Sequence, residues 1–332
     1  DPDRYEHAHG YCDLLVVGSG PAGRAAAHCA AKAGCDVILV EQDAIMGGDT
    51  LSQPDNTSSL QEELSALTAC GVRLMTSTTA FGLYDNGVAG LLERVTDHLA
   101  DPTSWLPRQR FWTVRAHATV IAAGALERHI AFGDNDRPGV MTANAGRTYL
   151  NRFAIQAGEK IVIATNNDSA YTTASDLAGS GASVTMLDSR REIPFSWRSH
   201  CDTAGVVIKS GAAPMKALGG KAVSDLTTAI RQGNSWRADR NIDCDLVLVS
   251  GGWSPVVNLL SHRGIKPVWN PELACFLAPT SEEPILAAGS AAGVWDDAAC
   301  RTSGEKAALE ALELIRNPAY RTAAQTPGNW EC

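Results

Sequence analysis

No two cysteines in this sequence form a C-x-x-C pair, and none fall at the paired spacings that hold a zinc ion. The nine thiols, at 12, 29, 35, 70, 201, 244, 275, 300 and 332, are scattered. That excludes a local redox dithiol and reads as reduced, core-buried sulfur. Also missing is any apolar run near the roughly 20 residues of a membrane span. The first residues, DPDRYEHAHGYCD, have neither the basic nor the apolar region of a signal peptide. The expected setting is cytoplasmic, with no membrane partner. Positive charge is in short supply: 28 Lys and Arg against 37 Asp and Glu leave a net charge of −9, which argues against a nucleic-acid partner. His28, His98, His117, His129, His200 and His262 show neither metal spacing nor a paired carboxylate, and His7 and His9 of YEHAH read as a weak metal pair or, better, as a solvated tail. No metal site and no catalytic side chain is assigned.

One absence is local. The stretch IVIATNNDSAY, residues 161 to 171, reads as a buried strand turning into a helix where a dinucleotide-binding unit carries its glycines, yet it has none. The earlier stretch LLVVGSGPAGRAAA has the same outline with every glycine in place. A chain of 332 residues has room for about two domains. Two β-α-β units therefore point to an α/β protein with two nested Rossmann-like dinucleotide-binding domains.

In the first unit, Leu14 to Val17 form a strand buried on both faces, the next segment is rich in small helix formers and closes on Gly34, and CDVILVE is a second buried strand. Gly18, Gly20 and Gly23 form G-x-G-x-x-G between strand and helix. Gly18 permits the tight turn, Gly20 removes a Cβ that would block a pyrophosphate, and the helix N-terminus offers free NH groups. Glu41 ends the second strand, where a carboxylate can accept from ribose hydroxyls. A 2′-phosphate would be repelled there, and Gln42 and Asp43 offer no arginine to hold one, so NAD or FAD is favoured over NADP. Gly47 and Gly48 read either as a second backbone approach to the phosphates or as an ordinary turn.

Beyond these come a helix from about Leu60 to Cys70, an antiparallel excursion that returns through RQRFWTVRAHATVIAAG, and the second unit. In that unit Asp188 stands where the ribose acid would stand. The unit reads as a retained scaffold with a closed site, or as a site reshaped for a ligand without pyrophosphate. The late EPILAAGSAAG, followed by a helix from about Gly304 to Ile315, is expected to complete the first sheet. The expected domains are residues 1–154 plus 256–332, and an insertion at 155–255. The loop GDNDRPGVMT could face a cofactor or another subunit, or simply lead into a helix. Eight tryptophans beside six Phe and six Tyr are core residues or anchors for partner surfaces.

The nested folds, with IAAG at Ile121 to Gly124 and the late ILAAG strand, resemble the flavoprotein disulfide-reductase architecture. RYEHAHGYCDLLVVGSGPAG, FGLYDNGVAGLLERVTDHL, LPRQRFWTVRA, NDRPGVMTANAGRTYLNRF and TNNDSAY further resemble the α subunit of heterotetrameric sarcosine oxidase, over nearly the whole chain. The resemblance implies an α subunit that binds NAD in this region. It also implies a β subunit carrying FAD, where an N-methyl amine is oxidised, and an FMN at the α–β boundary that passes electrons to oxygen. Smaller subunits complete such a complex. The candidate cofactor-binding residues are Gly18, Ser19, Gly20, Pro21, Ala22, Gly23, Glu41, Gln42, Gly47, Gly48, Ala80, Ala123, Gly124 and Gly289.

Two departures stand out. The chain has no room for the family's folate-binding domain, which implies a fragment or a subunit of a split relative such as an opine, proline or hydroxyproline dehydrogenase complex. Ser290 stands where a typical FAD site of this architecture has Asp, which suits NAD or no flavin. The alternatives to a redox-enzyme subunit are a structural or assembly subunit and a free-standing FAD-dependent reductase.

Overall fold

The computed structural model describes residues 4–54, 57–103, 105–279 and 283–316. Trp330 and Cys332 lie outside them. The chain divides into two compact units, one of residues 1–50, 55–125 and 255–332, the other of 51–54 and 126–254.

The first unit starts with β1 (Tyr5–Val17), α1 (Pro21–Lys32), β2 (Val37–Val40), α2 (Thr57–Ala69) and β3 (Arg73–Met75). It continues with β4 (Thr78–Tyr84), β5 (Val88–Arg94) and β6 (Gln109–Ile121). The sheet order is β3-β2-β1-β6-β5-β4. β1 is parallel to β6 along nearly its whole length, from Tyr5 opposite Gln109 to Val17 opposite Ile121. Only its last four residues also pair with β2. There the apolar run is buried on both faces. Leu14 and Val16 pack with Ala26, Ala27 and Ala30 of α1, while Leu15 and Val17 enter a second cluster with Ile38 and Val40. Each such side chain contributes ~1.5–3 kcal/mol relative to exposure. The segment with His7 and His9 is thus strand rather than tail, and His7 stacks on Phe111 at 5.1 Å between ring centroids.

The second unit contains β7 (Val140–Thr142), α3 (Ala143–Phe153), β8 (Lys160–Thr165), α4 (Ser169–Gly179), β9 (Ser183–Asp188), α5 (Phe195–Ala204) and β10 (Val207–Ser210). An antiparallel sheet of β11 (Ala212–Leu218), β12 (Asp225–Gln232) and β13 (Ser235–Asp243) follows, then β14 (Leu246–Ser250). The parallel sheet runs β10-β9-β8-β14-β7. The expected insertion at 155–255 therefore starts too late. β7 pairs with β14, and Ala143 at the head of α3 joins the core formed by Ile161, Tyr171 and Leu248, so the unit reaches back to Leu126.

The chain then returns to the first unit. β15 (Ile285–Ala287) pairs in parallel with Thr119 to Ile121 of β6, and α6 (Asp297–Arg316) packs on α1. This helix starts at Asp297, not near Gly304. A Cβ on Gly304 would lie 2.0 Å from the carbonyl oxygen of Ala22, so the glycine marks close helix packing and not a helix boundary.

Candidate functional site

The turn after β1 is built around its glycines. Gly18 has φ +99°, and a Cβ there would meet the carbonyl oxygen of Ala122 at 2.4 Å. A Cβ on Gly23 would lie 1.8 Å from the carbonyl oxygen of Gly18, so the first turn of α1 closes onto the loop before it. Gly20 differs. A Cβ there would meet nothing within 4 Å, and open space therefore faces the point where α1 starts. Gly20 is the N-cap, no side chain caps the helix, and Pro21 opens it, a residue whose missing NH costs nothing at that position. The unpaired NH groups and the positive end of the helix dipole converge there, as an anionic phosphate requires.

The acid is in place but engaged. Glu41 is buried, and its Oε2 accepts from the Ser19 NH at 3.0 Å and the Ser19 hydroxyl at 2.7 Å. Oε1 accepts from the Asp43 NH at 3.0 Å. A carboxylate has about four acceptor positions, so one remains for a ribose hydroxyl. The Ser19 hydroxyl in turn accepts from the Gly47 NH at 2.8 Å. Gly48, at φ +57°, comes so close that a Cβ would lie 2.9 Å from Gly20 Cα. The glycine pair is therefore part of the turn's wall.

The late segment joins the same place. Gly289, at φ +62°, faces Ala22, which a Cβ would meet at 2.6 Å, and its NH donates to the Ser303 hydroxyl at 3.1 Å. Ala123 lies against Gly18. The Gly124 carbonyl accepts from the Val256 NH at 3.0 Å. Two candidates stand apart from this knot. Ala80 sits opposite Leu91 in the β4–β5 ribbon, and exposed Gln42 offers its carbonyl to Arg94 at 2.6 Å.

Sequence reasoning missed the residue that ties the turn together. Arg24 is 2 % exposed, and its guanidinium donates to the carbonyls of Ser19 at 2.8 Å and Gly47 at 3.0 Å and to the Thr50 hydroxyl at 3.2 Å. Its Nε meets Glu63 at 2.7 Å, and Arg301 of α6 meets the other oxygen of Glu63 at 2.8 Å. Burial alone would raise the Glu63 carboxyl, but the hydrogen bonds and charges of Arg24 and Arg301 outweigh it and hold the group below its ordinary range. The signal was present: an arginine in the middle of the small-residue run GPAGRAAA.

The second unit closes the corresponding space. The Asn167 amide donates to the Ser250 carbonyl and hydroxyl, both at 3.0 Å, and its oxygen accepts from the Ser169 NH at 3.1 Å. This side chain occupies the head of α4 in the way a phosphate oxygen would. Asp188, fully buried, accepts from the Tyr171 hydroxyl at 2.7 Å and from Arg190 at 2.7 Å, and Arg190 also reaches Asp168 at 2.7 Å. Burial first, and then the hydrogen bond that the Tyr171 hydroxyl donates to Asp188, push the Tyr171 phenol upward.

Among the described residues no two cysteines form a disulfide. Burial pushes Cys12 and Cys244 up to about 12, and Cys29, Cys35, Cys201 and Cys300 shift in the same direction for the same first cause. A thiol that resists ionisation is a poor nucleophile for disulfide exchange.

The chain is 40% identical to the sarcosine oxidase subunit alpha of Rhizobium meliloti over 95% of its own length but 32% of that subunit. It thus spans about a third of that relative. Among solved structures, thioredoxin reductase of Lactococcus lactis superposes with a TM-score of 0.68 at 17% identity, covering 92% of this chain and 99% of that one. L-proline dehydrogenase from P. horikoshii gives a TM-score of 0.69 at 18% identity, over 96% of this chain and 60% of that one. The fold is thus that of paired Rossmann-like domains, as the two β-α-β units led us to expect. Residues 12–304 match the pyridine nucleotide-disulphide oxidoreductase family, and the chain belongs to that family of oxidoreductases.

Proposed function

We propose that this chain is the dinucleotide-binding part of the α subunit of a sarcosine oxidase-type amine oxidase, and that its first turn holds NAD. The observation that carries this reading is the open space at Gly20, set against the uncapped head of α1 and next to Glu41. The residues fit a dinucleotide. The backbone NH groups of Gly20, Ala22 and Gly23 would receive the pyrophosphate, and the remaining acceptor of Glu41 would take a ribose hydroxyl. Gly48 would bring a second stretch of backbone to the phosphates. A 2′-phosphate would face the Glu41 charge, which disfavours NADP. Ser290 in place of an acidic residue, with its hydroxyl 3.9 Å from the Cys300 sulfur, disfavours FAD here.

Bound NAD supplies a nicotinamide that can accept a hydride. Oxidative demethylation of the amine belongs on this reading to a flavin-carrying β subunit, with electrons passing through FAD and FMN to oxygen. This chain's own residues bind and orient the nucleotide, and Arg24 holds the turn rigid around it. The setting is a multi-subunit, cytoplasmic complex.

A second reading has its own support: the closed turn of the second unit is what a structural or assembly subunit of an opine, proline or hydroxyproline dehydrogenase-type complex would retain. Denaturing the purified chain and identifying the released nucleotide by chromatography and mass tests both. NAD without a flavin band supports the first reading, and the absence of any nucleotide the second. Stoichiometric FAD from a yellow protein would overturn both in favour of a free-standing flavin-dependent reductase.

A further inference from the structure

One edge of β1 is left open by the fold. β6 lines one side of this strand along nearly its whole length, whereas on the other side β2 reaches only Leu14 to Val17. Among the described residues, no strand pairs with Tyr5 to Gly10 on that second side. An open edge is a template for a further strand, and chains that stay single blunt it with lysine, proline or a bulge. Here the edge reads YEHAHGY, and it pairs with β6 without interruption from Tyr5 to Cys12. Its one carboxylate, Glu6, points to the face away from the histidines and meets Arg110 at 2.6 Å.

The edge is also nearly the same read from either end. About Ala8 as centre, His7 corresponds to His9 and Tyr5 to Tyr11, and only Glu6 and Gly10 differ. Two copies set antiparallel about a two-fold axis at Ala8 therefore bring each Tyr5 opposite the other copy's Tyr11, and each His7 opposite its His9. Alternation puts all four side chains on one face of the sheet.

That face already carries a row of rings. A Cβ on Gly90 of β5 would lie 2.5 Å from Phe81 Cζ, so the glycine lets Phe81 of β4 lie across β5 toward Phe111 of β6, 5.5 Å away between ring centroids. Phe111 in turn stacks on His7 at 5.1 Å. The row ends at the open edge, where Tyr5 is 66 % and Tyr11 54 % exposed. Tyr11 keeps its hydrogen bond to His117, and its ring remains available for contact.

We propose that the chain pairs with a second copy of itself along β1, antiparallel and centred on Ala8. Backbone hydrogen bonds join the two edges, and the facing tyrosines and histidines fix the register. The row of rings then runs on from one copy into the other.

Sedimentation velocity of the full chain over a dilution series tests this. The expected result is a reversible dimer with a Kd of roughly 1–100 µM, as a short interface allows. The double variant His7→Lys/His9→Lys sets like charges opposite one another and is expected to weaken the dimer at least tenfold. His7→Lys/His9→Glu sets opposite charges across the same axis and is expected to restore it. Ala8→Cys should form a disulfide-linked dimer on mild oxidation at least tenfold faster than Ser235→Cys at an exposed hairpin. Circular-dichroism melts confirm that each variant is folded. A chain that stays monomeric up to about 1 mM would overturn the proposal. So would a dimer indifferent to the paired lysines, or one that the lysine–glutamate variant fails to restore.

Discussion

The Arg24 guanidinium, buried in α1, donates a 2.8 Å hydrogen bond to the carbonyl oxygen of Ser19, in the turn that leads into its own helix. The same group reaches Gly47, so one cation engages two carbonyls that would otherwise face an incoming anion with unpaired negative ends. Arg24→Met removes this and leaves Glu63 without its buried partner. Breaking a buried pair from one side costs ~3–5 kcal/mol. We expect a clear fall in melting temperature together with loss of copurifying nucleotide. An unchanged melting curve would mean that the arginine is not what holds the turn.

Two glycines three residues apart in the motif, Gly20 and Gly23, should behave oppositely. Gly20→Val places its side chain in open space, so the fold should survive while nucleotide binding is lost. Gly23→Ala drives a methyl group to 1.8 Å from a backbone carbonyl, which cannot move aside cheaply. Its cost should reach or exceed the ~1–3 kcal/mol of ordinary overpacking. Circular-dichroism melts and nucleotide content per chain separate the two. A Gly20→Val protein with full nucleotide content would place the nucleotide elsewhere.

What could be read from the sequence was local. Leu14 to Val17 and the glycine turn declare themselves because a doubly buried strand and a tight phosphate turn each need particular residue types at short spacing. Long-range pairing left no such trace. His7 and His9 lie in a strand because β6, about a hundred residues later, offers a parallel edge to them. Gly304 lies inside a helix because another helix's backbone comes close, and a glycine that permits contact reads the same as one that ends a helix. Nor could the sequence show that Glu41 is held by Ser19, or that Glu63 from α2 completes the Arg24 network. The boundary at Leu126 depends likewise on β7 pairing with β14.

Glu63 gives the first unit an acid-sensitive element. Its carboxyl lies below the ordinary 4.5 in the folded chain because Arg24 and Arg301 outweigh the upward push of burial. A depressed folded-state pKa contributes stability that is fully present above the unfolded value and is lost as pH falls through the folded one. The contribution is therefore intact at pH 7 and fades from about pH 4.5 downward. Glu63→Gln should melt earlier than the native chain at pH 7, and the gap should narrow toward pH 3. A gap that stays constant across that range would show that charge at Glu63 contributes nothing.

In the second unit the acid at the ribose position has been turned inward, and the consequences of undoing this differ by partner. Tyr171→Phe removes one hydrogen bond from Asp188 but leaves Arg190 in place, a loss of ~1–3 kcal/mol. Arg190→Ala removes the cation paired with a fully buried carboxylate and also takes Asp168's partner away, so it should cost more, ~3–5 kcal/mol. Neither change touches the first turn, and neither should alter the nucleotide released on denaturation. The order of the two melting temperatures tests the assigned roles of Tyr171 and Arg190. The nucleotide content tests something larger, because if either substitution empties the protein of nucleotide, the second unit is a working site and its closed geometry is one state of a pocket that opens.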